Sequence, residues 1–397
     1  MHICFAAIDY HTSQSGGGIA SYVNTLGGEL VRRGHQVTVV SLGVNEKETL
    51  VDGIRVIFTK LGNVHWYLHK IRFTSFAVMP IRELEWSWSL KQVVDKIDTT
   101  NPIDIVEGTE NGCLLGAFFW KKFPLVIRLH GDQFTFTKHS QSYISIGMRI
   151  NRAMTLIALR KAHSITAPSR FAVQEAVNQL GWSTKRVQII ANPINPMFLE
   201  QTTSHVPLSL ISADQVKIIY TGRIERCKGT LILFRSIPIV VRKLPHARFV
   251  VVGGQHVSIS DALLQRELDR DNVRAYCDLL GHIPWHNLIA LYRKATIFVM
   301  PSLYESFGIS IIEAMACGLP VVATTAGAIP EVVEHGVTGL LVPPGDSIAL
   351  AEAIIQLARD PELRSRLGKA GRERVQSMFT VGHVADQTLS VYEACKR

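Results

Sequence analysis

The sequence predicts an α/β protein with two Rossmann-like domains, and three observations support this prediction. Its length of 397 residues is about twice a common domain size. A βαβ pattern with a glycine-rich turn opens the chain over residues 2–41, and a second such pattern starts at residue 217. Between them, residues 195–214 lose hydrophobic periodicity and collect Pro, Ser, Thr and Gln, which is typical of a linker. We therefore place an N-terminal domain at 1–195 and a second domain at 196–379.

The composition is that of an ordinary globular protein, with 47% apolar and 19% charged residues. No run approaches the ~18 apolar residues of a transmembrane helix, so none is expected. The first apolar run has no basic start and is interrupted by Asp9, which favours a buried strand over a signal peptide. Six scattered cysteines without a C-x-x-C pair are typical of reduced thiols. These features favour a cytoplasmic location, with the inner membrane surface as an open alternative.

The formal net charge of +9 is unevenly distributed, because residues 121–186 contain 11 basic and 2 acidic side chains. Residues 60–100 also interleave aromatic and basic side chains, as helices at a membrane surface do, although core packing is the plainer reading. A basic face favours a polyanionic partner such as anionic lipid or an anionic acceptor, and a merely soluble face is the alternative. No zinc spacing or RNP-like aromatic run is present, so no nucleic-acid partner is expected. The aromatic residues of 60–100 are Trp66, Tyr67, Phe73, Phe76, Trp86 and Trp88.

The first half reads as alternating strands and helices. A glycine turn at 15–18 lies between the strand at 2–8 and a helix at 19–33, where its backbone can approach a phosphate or a sugar; a plain tight turn is the alternative. A dinucleotide fingerprint is weakly supported, since Ser21 stands where the third glycine would be. Strands are expected at 36–41, 103–107, 125–129, 164–167 and 187–190, and helices at 138–163 and 171–180.

His130 follows the strand at 125–129 directly. Ligands of open parallel sheets bind at the carboxyl ends of the strands, so a histidine at this place is a candidate for function. A lone histidine is otherwise more often structural.

The second half opens with a strand at 217–221 and a loop that runs from Gly222 to Gly229 before a helix. Arg223 and Lys228 lie within this loop, so two cations and the free N–H groups of a helix start come together. Such a set suits a diphosphate that gains charge as it leaves. A solvated basic loop is the alternative. Further strands are expected at 248–252 and 297–300, a helix at 288–292, a long helical pattern from 346 to about 379, and a last helix at 381–396.

Two carboxylates, Glu305 and Glu313, lie eight positions apart between the strand at 297–300 and Gly318. On one helix they would be separated by about 12 Å, beyond the ~5–9.5 Å between the two carboxylates of glycosidases. The spacing therefore argues against a hydrolase pair. We expect Glu305 in the loop and Glu313 on the following helix, where they contact different parts of one elongated ligand; two solvated carboxylates are the alternative.

The segment E-S-F-G-I-S-I-I-E-A-M-A-C-G-L-P-V-V at 305–322 resembles the E-x7-E segment of family 4 retaining glycosyltransferases, the glycosyl transferases of group 1. These enzymes have the GT-B fold, in which two Rossmann-like domains face each other across a cleft. The resemblance continues through 327–331 and 336–346, and it is dense only over 217–346. In the first half it comprises the glycine loop, His130 and the turn at 168–169. One departure is the loop at 222–229, in which four residues separate the two cations instead of five.

The resemblance implies transfer of a sugar from a nucleotide diphosphate donor, such as a UDP- or GDP-sugar, to an acceptor hydroxyl with retained anomeric configuration. It implies neither a metal ion nor a cofactor, since the nucleotide-sugar is a co-substrate. The last helix, 380–397, is expected to cross back onto the first domain, which would bind the acceptor. A lipid-linked glycan, a polysaccharide, a glycoprotein and a small thiol or polyol all stay open as acceptors.

The same resemblance implies a role for individual residues. Arg223 and Lys228 would stabilise the leaving diphosphate, Glu305 would hold hydroxyls of the donor sugar, and Glu313 would hold those of the ribose. His130 would contact the sugar near the reacting carbon. The remaining donor-binding candidates are Gly17, Gly18, Gly222, Ile283 beside the nucleotide base, and the backbone of Phe307, Gly308 and Ile309.

Other functions remain as alternatives. A non-catalytic nucleotide-sugar-binding subunit could keep the same residues. A nucleotide-dependent oxidoreductase is disfavoured, because Ser41 closes the second strand where an acidic residue would be required.

Overall fold

The computed structural model describes residues 1–8, 10, 17–62, 64–65, 75–131, 145–180, 187–200 and 215–396. Several sequence-based predictions therefore lie outside the described residues. They concern the first half of the glycine turn, most of the linker, the start of the helix expected at 138–163, and the side chains of Trp66, Tyr67, Phe73 and Phe76.

The chain divides into two compact units. Unit 1 comprises Met1–Pro193 together with Val381–Arg397, and unit 2 comprises Ile194–Thr380. Each unit contains one sheet with helices, so the prediction of two α/β domains with parallel sheets is confirmed. The assignment of acceptor binding to one domain and donor binding to the other stays a prediction.

The sheet of unit 1 has eight strands in its described part, in the order β3-β4-β2-β1-β5-β6-β7-β8. All neighbours run parallel except β3 and β4. The strands are β1 (His2–Ala6), β2 (Gln36–Leu42), β3 (Lys47–Val51), β4 (Ile54–Thr59), β5 (Ile105–Thr109), β6 (Leu125–Arg128), β7 (Ser164–Ala167) and β8 (Val187–Ile189). The helices are α1 (Gly18–Arg32), α2 (Ser75–Thr100), α3 (Leu114–Phe119), α4 (Ile146–Lys161), α5 (Arg170–Leu180) and α13 (Val381–Lys396).

The order of these strands follows from their composition. β1, β5 and β6 are buried along their whole length, as expected of central parallel strands covered by helices on both faces. Two hydrophobic clusters cover the two faces of the sheet, one with Trp86 and Leu159, the other with Tyr22 and Tyr392. The C-terminal helix α13 thus packs onto the same sheet face as α1.

The antiparallel pair β3–β4 was not predicted. Asp52 and Gly53, both with positive φ, form its two-residue turn, and Val51 pairs with Ile54. An Asp-Gly dipeptide between alternating apolar residues is a strong hairpin signal, and the sequence carries it.

The sheet of unit 2 has six parallel strands in its described part, in the order β11-β10-β9-β12-β13-β14. They are β9 (Lys217–Thr221), β10 (Arg248–Val252), β11 (Cys277–Gly281), β12 (Ile297–Met300), β13 (Val321–Thr324) and β14 (Gly339–Val342). The helices are α6 (Thr230–Lys243), α7 (Asp261–Asp269), α8 (Trp285–Lys294), α9 (Ile309–Ala316), α10 (Ile329–Val332), α11 (Ser347–Arg359) and α12 (Pro361–Met378), with 3-10 turns at Pro196–Phe198 and Arg270–Tyr276. This strand order reverses direction between β9 and β12, which creates a switch point at their carboxyl ends.

The helical pattern expected from 346 to about 379 is present as two helices, α11 and α12, which Asp360 separates. The side chain of Asp360 accepts a hydrogen bond from the Leu363 N–H, and Pro361 is the first residue of α12. A proline without an N–H fits the start of a helix and interrupts a continuous one.

No helix in the described part of the chain is both long enough and apolar enough to cross a membrane. All six cysteines are free thiols, and four of them are buried: Cys4, Cys113, Cys227 and Cys277.

Candidate functional site

The switch point of unit 2 brings two loops together, one after β9 and one after β12. Gly229, at the end of the first loop, has φ +67°, and a Cβ atom there would lie 1.8 Å from the carbonyl oxygen of Pro301 in the second loop. Only glycine permits this approach. Gly222, the first residue of the loop after β9, has φ +151°, and a Cβ there would lie 3.0 Å from Tyr220 Oη; Gly253, after β10, is more tightly confined, because a Cβ there would lie 2.0 Å from the Gly222 carbonyl oxygen.

Lys228 and Glu305 form an ion pair at this point, with 2.6 Å between Lys228 Nζ and Glu305 Oε2. Both side chains are largely buried, with exposed fractions of 20% and 9%. Two neighbouring loops thus place a cation and a carboxylate side by side at the carboxyl edge of the sheet. A cation of this kind can bind a phosphate, and a carboxylate can accept hydrogen bonds from sugar hydroxyls.

The backbone of Glu305 is fixed from a third strand, β13. Gly327 has φ +60°, and a Cβ at that position would lie 2.2 Å from the Glu305 carbonyl oxygen. The next residue, Ala328, donates its N–H to the same oxygen over 2.9 Å. The Gly327-Ala328 pair belongs to a motif that the sequence analysis identified without a role. The structure gives it one, which is to hold the loop of Glu305.

The start of α9 completes the loop after β12. Gly308 precedes α9 in a left-handed conformation with φ +98°, and a Cβ there would lie 3.5 Å from Glu305 Cγ. Helix geometry leaves the first N–H groups of α9, beginning with Ile309, without intrahelical acceptors, which favours an anion nearby. The Phe307 side chain is buried against Phe379, with ring centroids 5.6 Å apart, so only its backbone is available to a ligand.

Glu313 lies one turn into α9, as expected, while Glu305 lies in the loop. Tyr292 Oη donates to Glu313 Oε2 over 3.2 Å and lies 2.6 Å from Thr221 Oγ1 at the end of β9. Desolvation by burial raises the pKa of Glu313 to about 8. The hydrogen bond from Tyr292 acts in the opposite direction but is the smaller effect. Glu313 is therefore a poorly solvated carboxyl group whose partly exposed side chain can still meet a ligand hydroxyl.

Arg223 is oriented by Glu225, a residue that the sequence analysis did not select. The Arg223 side chain is 52% exposed, and its Nη2 lies 3.2 Å from Oε1 of Glu225, which is buried. His256 Nδ1 lies 3.5 Å from the other oxygen of that carboxylate. Tyr220 Oη donates to the backbone carbonyl of Arg223 over 2.8 Å. The partly exposed guanidinium of Arg223 thus belongs to the same loop as Lys228.

Ile283 lies at the same sheet edge but after β11, the edge strand, two strands away from β9. The structure therefore brings Gly222, Lys228, Glu305, Phe307, Gly308 and Ile309 together around the switch point, and it places Ile283 to one side of them.

Unit 1 has its own switch point between β1 and β5, and His130 lies next to it at the carboxyl edge. The backbone N–H of His130 donates to both carboxylate oxygens of buried Glu110, over 3.1 and 3.0 Å. Desolvation by burial is the larger cause, and the positive charge of Arg128 the smaller, that together lower the pKa of the imidazole to about 3. His130 is thus neutral at physiological pH and suited to hydrogen bonding rather than to donating a proton as an imidazolium.

A buried polar network supports His130 from behind. The ring of His130 meets the ring of Tyr22 edge-on, with centroids 5.4 Å apart, and the guanidinium of Arg128 lies 4.1 Å from the same tyrosine ring. Tyr22 Oη and Tyr392 Oη each donate to Glu107 over 2.8 Å. Tyr22 belongs to α1 and Tyr392 to α13, so Glu107 joins both helices to the central strand β5.

Gly17 and Gly18 lie at the start of α1 and are exposed. Their position agrees with a loop that approaches a ligand, but no steric contact within the described residues requires glycine at position 17, because a Cβ there would meet none of their atoms within 4 Å. Among the described residues, no group of three His, Cys, Asp or Glu side chains is placed to hold a metal ion.

Comparison with known proteins assigns both halves of the chain. The family model "Glycosyl transferases group 1" matches residues 205–374, and the model "Glycosyltransferase Family 4" matches residues 16–198. An uncharacterized glycosyltransferase of Methanocaldococcus jannaschii is 24% identical over 387 residues, which cover 95% of this chain and 94% of the relative.

Two solved structures show the fold over almost the whole chain. Sucrose-phosphate synthase from Thermosynechococcus elongatus has a TM-score of 0.80 at 23% identity and covers 99% of this chain and 98% of its own. HepE from Anabaena, solved in complex with UDP-glucose, has a TM-score of 0.75 at 21% identity and covers 99% of this chain and 100% of its own.

Proposed function

Because the chain belongs to the family 4 glycosyltransferases of group 1 and has the GT-B fold, we propose that it transfers a sugar from a nucleoside diphosphate donor to an acceptor hydroxyl with retention of the anomeric configuration. The ion pair between Lys228 and Glu305 at the unit 2 switch point is the observation that carries this proposal. It places a phosphate-binding cation beside a carboxylate that can hold sugar hydroxyls.

The donor diphosphate meets Lys228, Arg223 and the N–H groups at the start of α9 in this proposal. Negative charge develops on the diphosphate as the glycosidic bond to the sugar breaks, and preorganised cations and N–H groups stabilise that charge most in the transition state. The left-handed Gly308 and the tight loop after β9 support this, since both are held in place by backbone contacts before any ligand arrives.

Glu305 orients the donor sugar and Glu313 the ribose. Glu305 is held by Lys228 on its side chain and by Ala328 on its backbone, so its carboxylate has little freedom left to lose on binding. Glu313 sits one turn further along α9, which suits a ligand that extends from the sugar through the diphosphate to the ribose. Ile283, two strands away, provides an apolar contact for the base.

Within unit 1, we propose His130, Gly17 and Gly18 as sugar-binding residues. A neutral imidazole can donate one hydrogen bond and accept another, and Tyr22 with Glu110 fixes its place at the sheet edge. No described residue is placed as a covalent nucleophile by any observed contact, and we propose attack by the acceptor on the face from which the diphosphate departs. The proposed reaction requires no metal ion and no cofactor.

UDP is the first nucleoside diphosphate to examine as the leaving group of the donor, because the HepE structure contains UDP-glucose, and GDP is the second. The acceptor is an open part of the proposal, with lipid-linked and anionic molecules as the first candidates, and a peripheral membrane location would accompany the former.

The proposal is tested by incubating the full chain with UDP- and GDP-sugars and a panel of acceptor hydroxyl compounds, without metal ion. Release of the nucleoside diphosphate together with an α-linked product from an α-linked donor, read by proton NMR, is the expected result. A β-linked product would contradict retention. Donor binding without release, in the presence of every acceptor and of water alone, would favour a non-catalytic nucleotide-sugar-binding subunit.

A further inference from the structure

Helix α4 carries an exposed apolar stripe that no other element in the described part of the chain covers. Its buried side includes Met148, Ala158 and Leu159, and the last two belong to the hydrophobic cluster on one face of the sheet. On the opposite side, Ile146 is 63% exposed, and Ile150 and Ile157 are each 39% exposed. Their spacing of four and seven residues puts them on one face, together with the exposed Ala153. A solvent-facing helix surface is ordinarily polar, so this stripe indicates a partner.

Basic side chains flank the stripe. Residues 114–122 and 146–161 contain six basic side chains and no acidic one. Arg149, Arg160 and Lys161 are exposed on α4 itself, beside the isoleucines. The face therefore combines apolar contact area with positive charge, a combination typical of helices that lie in the plane of a membrane surface.

The neighbouring short helix α3 extends this face with aromatic rings. Phe118 and Phe119 are 44% and 59% exposed. Lys161 Nζ lies 4.4 Å from the ring centroid of Phe118, and Lys91 Nζ lies 5.6 Å from that of Phe119. These pairs hold the rings at the surface next to cations, as in side chains that occupy the headgroup level of a bilayer.

We propose that the face formed by the exposed residues of α3 and α4 docks unit 1 on an anionic lipid surface, with α4 lying parallel to the bilayer. The stripe from Ile146 to Ile157 is about 17 Å long and inserts among the acyl chains and headgroups, while the flanking basic side chains contact lipid phosphates. A second copy of this chain is the weaker candidate, since a symmetric contact would bring two sets of the exposed cations Arg149, Arg160 and Lys161 together.

The topology of unit 1 gives this docking a consequence. Helix α4 connects the carboxyl end of β6 to the start of β7, so its first turns lie at the sheet edge that holds His130. Insertion of Ile146 and Ile150 therefore brings that edge to the membrane. The arrangement suits an acceptor that is itself anchored in lipid, and this last step rests on the proposed function, whereas docking does not.

Vesicle flotation of the full chain tests the proposal without any donor. Vesicles of phosphatidylcholine alone are compared with vesicles that also contain phosphatidylglycerol. Wild-type chain is expected to bind the anionic vesicles at least about tenfold better, and added salt should reduce the difference. Equal binding to both kinds of vesicle, or binding to neither, would overturn the proposal.

Two pairs of substitutions separate charge from apolar insertion. Arg149→Glu with Arg160→Glu should reduce binding at least about tenfold, because each exposed basic side chain near an anionic surface contributes about fivefold. Ile146→Ser with Ile150→Ser should also reduce binding at least about tenfold. The matched controls Lys243→Glu and Ile348→Ser, at exposed positions of unit 2, should bind as the wild type does. Undiminished binding of both test variants would overturn the proposal. A dimer in light scattering that these variants dissociate would assign the face to a second copy instead.

Discussion

Lys228 and Glu305 form their ion pair across 77 residues of sequence, because the loops that carry them follow adjacent strands of the unit 2 sheet. The pair is almost buried, and it lies where the order of the parallel strands reverses. Each partner compensates the charge of the other in a poorly solvated place, so removal of one partner leaves an uncompensated charge. The pair thus contributes to the fold as well as to the proposed chemistry, and the two contributions can be separated.

Lys228→Ala should lower the free energy of unfolding by about 3 kcal/mol, because it leaves the Glu305 carboxylate buried without a cation. The double variant Lys228→Ala with Glu305→Gln should recover most of this loss. Nucleoside diphosphate affinity should stay at least about tenfold weaker in both variants, since a hydrogen bond to a charged group is lost in each. Urea unfolding and calorimetric titration measure the two quantities. Recovery of affinity along with stability would make Lys228 a structural residue only.

Gly327→Ala should destabilise unit 2 by at least about 2 kcal/mol and weaken donor binding, because its Cβ would collide with the backbone of Glu305. The matched control is Gly345→Ala: this position has φ +84°, but no atom of the described residues lies within 4 Å of a Cβ there, so the substitution adds only conformational strain of about 1 kcal/mol. Thermal unfolding with a parallel binding assay compares them. Equal losses in the two variants would refute the contact as the cause.

Glu313→Gln should remove a dependence of stability on pH. The folded-state pKa of about 8 exceeds the ordinary value of 4.5, so between these pH values the folded protein holds a proton that the unfolded chain has released. The free energy of unfolding should therefore be greatest below pH 4.5 as far as this group is concerned, and should fall as pH rises toward 8, by at most about 1.4 kcal/mol per pH unit. Urea unfolding across this window measures the slope, and identical slopes in both proteins would show that Glu313 ionises normally.

Tyr392→Phe should loosen the C-terminal helix α13 from the sheet of unit 1, since buried Glu107 then loses one of its two tyrosine donors. The expected loss is about 1–3 kcal/mol. Asp386→Asn is the control on the same helix, because its ion pair with Arg33 involves a carboxylate that is 70% exposed and should contribute less than about 1 kcal/mol. Hydrogen exchange of α13 and urea unfolding measure the effect. Greater loss in the control would contradict this ranking.

Much of the fold could be predicted from periodicity and glycine placement alone. The two βαβ openings, the strand before His130 and the loop of Glu305 followed by the helix of Glu313 are all local patterns, and the structure has them. The Asp52-Gly53 hairpin and the break before Pro361 are equally local features, and the sequence carries a signal for each. Both could therefore have been predicted.

The partners of the site residues could not be predicted in the same way, because they are distant in sequence. Nothing in the segment around Lys228 indicates that its partner is Glu305, and Gly327 cannot be seen to hold that loop until β13 is placed beside β12. The network of Tyr22, Glu107 and Tyr392 joins residues up to 370 positions apart. Sequence patterns reveal which residue types stand at strand ends, whereas packing of the sheet decides which of them meet.

Calorimetric titration with UDP, GDP, ADP and NAD, in parallel and without metal ion, tests the central claim most directly. We expect one nucleoside diphosphate to bind, and we expect Arg223→Ala to weaken it at least about tenfold. Arg242→Ala, at an exposed position in the last turn of α6 and thus far from the carboxyl edge, should bind as the wild type does. Binding of NAD alone would contradict the account in favour of an oxidoreductase, and binding of none of the four would contradict a donor site in this chain.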